Sequence, residues 1–154
     1  MIKMNRNIEY ALMALQFIKG QGQGRPVSVK EICEKLSSPF DSTSRVLQKM
    51  SRSSWLNSSQ GTNGGYLLNE KLFSNVSLHD LIELISGGLK LVKCIDGDCE
   101  FTSSCNIQTP VNRLNNGLVG YYKTILVKDL LANTSLQPNA GISSSAEVSG
   151  QVSL

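Results

Sequence analysis

Trp55-Leu56-Asn57-Ser58-Ser59-Gln60-Gly61-Thr62-Asn63-Gly64-Gly65-Tyr66-Leu67-Leu68 is the stretch on which the fold turns. Two strand-like pieces flank a Gly/Asn-rich turn, the pattern of a β-hairpin. The tip is small and polar, so it can lie against a nucleic-acid backbone or reach into a minor groove. Trp55 and Tyr66 are better suited to anchoring the hairpin on a core than to stacking on bases.

Upstream of the hairpin the periodicity is helical. Ile8, Leu12, Leu15 and Ile18 recur at three to four residues, with Ala11 and Phe17 widening the face, which predicts a helix from Asn5 to about Lys19. Residues 20–26 are rich in Gly and end in Pro26, a flexible connector. Ser28-Val29-Lys30-Glu31 reads as a capping box opening a second helix to about Leu36. Ser37-Ser38-Pro39 is a turn, with Ser38 the expected cap of a third helix that runs to about Arg52 and buries Val46, Leu47 and Met50. Two short helices joined by a tight turn make a helix-turn-helix, and the hairpin after it makes a winged helix. The third helix carries Ser42, Thr43, Ser44, Arg45, Gln48 and Lys49 on its remaining faces, hydroxyls, an amide and cations that suit base edges and phosphates. With Ser28 and the wing-tip residues Gln60, Thr62, Asn63 and Gly64 they form the expected DNA-facing set.

Charge agrees with that placement. The chain has 154 residues and a net charge of +3, but residues 1–63 carry nine Lys/Arg against four acids, and residues 94–154 carry three against five. A basic front half is what a phosphate footprint needs. No apolar run approaches the roughly 18 residues of a membrane helix, and the N-terminus lacks the pattern of a cleaved signal. The expected location is the cytoplasm, where clustered thiols mean metal or redox chemistry more often than structural disulfides.

After the wing, Ser77-Leu78-His79-Asp80 opens a further helix to about Ser86, with Asp80 in a capping box and Gly87-Gly88 as the stop. His79, the one histidine, reads as a surface or hydrogen-bonded residue. Then comes Cys94-Ile95-Asp96-Gly97-Asp98-Cys99-Glu100-Phe101-Thr102-Ser103-Ser104-Cys105, which holds three of the four cysteines in twelve residues. Three thiolates in one irregular loop can ligate a soft metal centre, either an iron–sulfur cluster or zinc. Cys33, on the second helix, reads as a packed core residue. Beyond the loop, Ile107, Val111, Leu114, Leu118, Tyr121 or Tyr122, and Ile125 trace an apolar stripe, which predicts a helix packed on a partner. Residues 133–154 read as a flexible tail. Catalysis is not expected: no Cys-x-x-Cys pair, no His/Asp constellation and no phosphate loop is present.

Several of these features together resemble the IscR/NsrR-type family of bacterial winged-helix iron–sulfur transcription regulators. Gly61-Thr62-Asn63-Gly64-Gly65-Tyr66-Leu67-Leu68 resembles its wing signature. Ile8-Glu9-Tyr10-Ala11-Leu12 resembles its opening helix, and Val76-Ser77-Leu78-His79-Asp80-Leu81-Ile82 its post-wing helix. The cysteines fall where cluster-binding members carry theirs, and the likeness covers about residues 1–132. It implies a homodimer whose hold on a double-stranded DNA operator depends on an iron–sulfur cluster. Cys94, Cys99 and Cys105 are the implied ligands. IscR-like members add a histidine where this chain has Gln108. NsrR-like members add a first-helix carboxylate from the partner subunit, and Glu9 aligns with it. That points to a four-iron four-sulfur cluster rather than a two-iron two-sulfur one. This chain departs from the family in having four residues, not five, between its first two cysteines. It also has Gln60 where a basic residue is common and Ser44 where some members have glutamate.

The expected protein is mainly α with a small β-hairpin wing, a winged helix-turn-helix plus a long dimerisation helix. The winged helix takes residues 1–75, a connecting helix 76–93, the cysteine loop 94–105 and the dimerisation helix 106–132. The competing reading is a zinc-binding or metal-free winged-helix interaction module.

Overall fold

The computed structural model describes residues 4–22, 24–91, 99–101 and 103–132. The expected tail at 133–154 and Cys94 lie outside the described residues.

The first helix, α1 (Arg6–Gly20), starts where the Asn5 side chain accepts a hydrogen bond from the Asn7 amide. Its buried face is Ile8, Ala11, Ala14, Leu15 and Ile18, while Leu12 is only half-buried against the core. The stripe is thus turned toward the two alanines, whose small side chains let neighbouring elements approach closely.

The next pair of helices is α2 (Val29–Leu36) and α3 (Phe40–Arg52). Half of the capping box predicted at α2 forms. Ser28 Oγ accepts from the Glu31 amide, but the Glu31 carboxylate pairs with Arg25 Nη2 at 2.8 Å instead of returning to Ser28. The cap of α3 also differs from the prediction. Pro39, not Ser38, is the N-cap residue, because the Ser38 hydroxyl accepts from Thr43 Oγ1 at 2.9 Å. Two serines make the tight corners, Ser37 (φ 50°) between α2 and α3 and Ser54 (φ 61°) after α3. Both sit in the left-handed region, which glycine adopts at lower cost.

Strands β1 (Leu56–Ser59) and β2 (Gly65–Leu68) pair antiparallel, with Leu56 opposite Leu68 and Ser59 opposite Gly65. The hairpin expected from the Gly/Asn turn is therefore present, and it has a neighbour that the periodicity does not reveal. Val27 and Tyr66 exchange both backbone hydrogen bonds, at 2.9 and 2.8 Å, so the connector before α2 lines the free edge of β2. Gly65 permits this approach: a Cβ there would lie 2.5 Å from the Val27 carbonyl oxygen. Tyr66 and Trp55 pack against the core, as an anchoring role requires. A short helix that the sequence reading lacks, α4 (Glu70–Phe73), follows the wing and buries Phe73.

Helix α5 (Leu78–Ser86) carries the full predicted capping box of Ser77 and Asp80 and ends on Gly87 at φ 78°. Burial would raise the Asp80 carboxyl, but hydrogen bonds from the Ser77 hydroxyl and amide and the nearby His79 bring it below the ordinary carboxylate value. His79 departs from expectation, since its side chain is only 18% exposed and Nδ1 is buried without a hydrogen-bond partner.

The dimerisation helix predicted over 106–132 is two elements, α6 (Gln108–Thr124) and α7 (Val127–Leu130). Ile125 is extended between them. Its carbonyl accepts from the Leu78 amide at 2.7 Å, and the Val127 amide donates to the Val76 carbonyl at 2.9 Å. These bonds pull the chain back to the start of α5 and remove Ile125 from the outward stripe, packing it against the core.

One apolar cluster runs through the winged helix and beyond it, joining α1, Val27, α2, α3, β1, Phe73, Val76, α5 and Val127.

Replacing Ser54 with glycine relieves a left-handed backbone and should stabilise the fold by about 0.5–1 kcal/mol, net of glycine's greater unfolded-state freedom. Chemical denaturation checks it. Ser77→Ala should cost about 1 kcal/mol through the lost cap. Because the Asp80 value is depressed in the folded state, its contribution is complete above the ordinary carboxylate range. It is lost as pH falls from that range through the lowered folded-state value. Denaturation of Asp80→Asn between neutral and acid pH should therefore show a weaker acid dependence than the wild type.

Candidate functional site

The side of α3 turned away from the core presents Asp41, Arg45, Gln48 and Arg52, all exposed, with Ser42 and Ser44 half-buried at its margins. Gln48 Nε2 donates to Ser44 Oγ at 3.3 Å, one turn along the helix. Two residues of the expected DNA-facing set have their polar groups engaged within the fold. Thr43 is 1% exposed and its hydroxyl is spent on Ser38, so it is a core residue. The Lys49 ammonium donates to the Ile85 carbonyl oxygen at 2.9 Å, so it ties α3 to the last turn of α5. The alternation of polar residues along α3 conceals both facts, since periodicity ranks faces but does not show what a neighbouring helix supplies. Arg52, which the sequence marks only as the end of the third helix, belongs to the outward surface. Its spacing of seven from Arg45 was the available signal.

Beside α3, the wing tip exposes Gln60, Thr62 and Asn63, with Gly64 half-buried. A Cβ on Gly64 would collide with the Ser59 carbonyl, so the turn needs glycine there. Ser28 is half-buried and its hydroxyl already accepts from the α2 amide.

The cysteine loop follows α5 in the chain. Its approach is fixed by a residue that the sequence reading did not single out. The Leu91 amide donates to Oδ1 of Asn115, and Asn115 is 6% exposed in the middle of α6. Gln108, where α6 begins, is seven residues before Asn115, about 10 Å along the helix axis. The chain therefore enters the loop against α6 and leaves it into the start of the same helix. Cys99 and Cys105 are half-buried, and Cys94 lies outside the described residues. Cys33 is half-buried on α2, a partial match to the packed position expected of it.

Glu9 is half-buried on α1, and its carboxylate holds Arg6 Nη1 at 2.9 Å. Among the described residues no three His, Cys, Asp or Glu side chains form a group able to hold a metal ion. Glu9 is thus not brought to Cys99 and Cys105 within one protomer.

Helix α6 has two unlike sides. Tyr122 packs on the core and Asn115 is buried. Ile107, just before the helix, and Leu114 are each 58% exposed, and Tyr121 is 60% exposed. Their spacing of seven lines them up along one face, with Val111 and Leu118 half-buried between them. Among the described residues no helix is long and apolar enough to cross a membrane.

Residues 4–133 match the Rrf2 family model, whose description is iron-dependent transcriptional regulator. The HTH-type transcriptional regulator NsrR of Bacillus licheniformis is 19% identical over 135 residues, which is 86% of this chain and 94% of that protein. Two solved structures share the fold. A transcriptional regulator of Listeria innocua superposes with a TM-score of 0.69 at 18% identity, covering 90% of this chain and 93% of its own. CymR, the global cysteine regulator of B. subtilis, gives 0.64 at 17%, covering 87% and 99%. The family match runs from ahead of α1 to beyond α7 and so takes in the winged helix, the cysteine loop and α6 together. On that match, the chain belongs to the Rrf2 family of transcriptional regulators.

Proposed function

We propose that the chain acts in the cytoplasm as a homodimer that binds a double-stranded DNA operator and reports redox, nitric oxide or iron status through an iron–sulfur cluster. The observation that carries this reading is the loop with three cysteines closed across α6 by the Leu91–Asn115 bond. Its donors are chemically apt, since thiolates suit iron–sulfur centres. Cys94, Cys99 and Cys105 would hold a cluster, four-iron four-sulfur in preference to two-iron two-sulfur, with Glu9 reaching in from the second subunit as an oxygen ligand. When bound, the cluster would supply a centre that reacts with oxygen or nitric oxide.

The chain's own residues supply the rest. The exposed stripe of Ile107, Leu114 and Tyr121 is the surface for the second copy. In the dimer two α3 helices address major grooves about 34 Å apart, one DNA turn. Arg45 and Arg52 take phosphates, Ser42, Ser44 and Gln48 face base edges, and Ser28 and the wing tip at Gln60, Thr62, Asn63 and Gly64 lie on the backbone. A change in the loop pulls on Leu91 and thus on the end of α5, and Lys49 passes that displacement to α3 through the Ile85 carbonyl. A coupling of about 1–3 kcal/mol is enough for a switch.

Anaerobic purification with iron and sulfide analysis should give a coloured protein with about four of each per chain, as a Cys-ligated four-iron cluster requires. Glu9→Ala should bleach faster in air while apo-protein DNA binding is unchanged. A colourless chain, still empty after anaerobic reconstitution, would overturn the cluster and leave the zinc-binding or metal-free module.

Fluorescence anisotropy with duplex DNA at several salt concentrations separates the roles on α3. Arg45→Ala and Arg52→Ala should each reduce the salt slope by about two, since the homodimer carries each arginine twice. Lys49→Met should leave that slope intact and lower stability by about 1 kcal/mol, the worth of its hydrogen bond.

A further inference from the structure

Phe40 is the first residue of α3 and is 56% exposed. An aromatic side chain left in water at that point is unusual in this chain, whose other helix starts are polar or packed. On a helix, residues four apart are neighbours, so Phe40 heads a row that continues through Ser44 to Gln48. The adjoining face carries Arg45 and Arg52, both exposed. An apolar residue at the start of a helix that also presents two outward cations complements a ligand that is anionic overall and has an apolar feature within it. In a helix-turn-helix the leading residues of the second helix are the ones that meet base edges.

Phenylalanine has no donor or acceptor and cannot read the polar groups of a base pair. The apolar feature on base edges in the major groove is the 5-methyl group of thymine. We propose that Phe40 is a specificity-determining residue that packs on a thymine methyl group in the operator, with Ser44 and Gln48 reading the neighbouring base edges. This rests on the DNA-binding reading above. Phe40 contributes discrimination where the arginines contribute affinity.

The test uses the full-length chain. A duplex is selected from a random-sequence pool by the wild-type protein and then rebuilt with deoxyuridine in place of thymidine, which removes only the methyl groups. Wild type should bind the deoxyuridine duplex less tightly, by about four-fold for each methyl taken out of contact. Phe40→Ala should bind both duplexes with equal affinity, and Phe40→Leu should keep part of the preference. Phe40 is largely in water, so these variants should melt with the wild type. A wild-type protein indifferent to the methyl groups, or a Phe40→Ala protein that keeps the preference, would overturn the assignment while leaving DNA binding intact. A shift of Phe40→Ala from dimer to monomer in sedimentation would also overturn it, by placing Phe40 between subunits. Failure to enrich any duplex would overturn the operator reading itself.

Discussion

Burial of α1 is the constraint on which the other elements depend. Ala11, Ala14 and Leu15 are fully enclosed, and α2, α3, α5 and β2 all pack on this one helix. Each large side chain so enclosed contributes about 1.5–3 kcal/mol relative to exposure. Because one helix serves both the winged helix and α5, the two share a core and cannot move as independent bodies without opening it. A displacement at α5 must then be felt at α3. The Lys49–Ile85 bond adds a polar tie at the point where α3 and the end of α5 meet.

Backbone pairing closes the structure at two places distant in sequence. Val27 lies along Tyr66, which seats the wing on the connector before α2. Val76 and Leu78 pair with Val127 and Ile125, which returns the end of α6 to the start of α5. Buried amides and carbonyls must find partners, and in both places a short extended segment supplies them without forming a full strand. Partial burial also raises the Tyr66 phenol above its ordinary value.

The outward side of α3 and the wing tip form a polar, cationic surface with one aromatic residue at its edge. Leu91, ahead of the cysteine loop, is held on α6, whose other face leaves Ile107, Leu114 and Tyr121 in water. Polar and cationic groups on α3 and the wing, and exposed apolar groups on α6, are thus kept on separate elements.

Much of this was legible from the sequence. Local rules placed α1, α2, α3 and α5 within a residue or two, because each combines a periodic apolar stripe with a cap or a stop, as at Asn5, Ser28, Ser77 and Gly87. The Gly-rich turn located the hairpin, since Gly64 and Gly65 are demanded by backbone approach. The three clustered cysteines marked the segment between α5 and α6. Tertiary structure alone decided that Thr43 is core, that Lys49 serves α5, that Asn115 holds Leu91, and that the C-terminal helix breaks at Ile125. Each of these turns on a partner 5 to 51 residues away. Periodicity reports which face of an element is apolar. It does not report which distant carbonyl or amide will meet a polar side chain, because only packing of the whole chain brings those groups together.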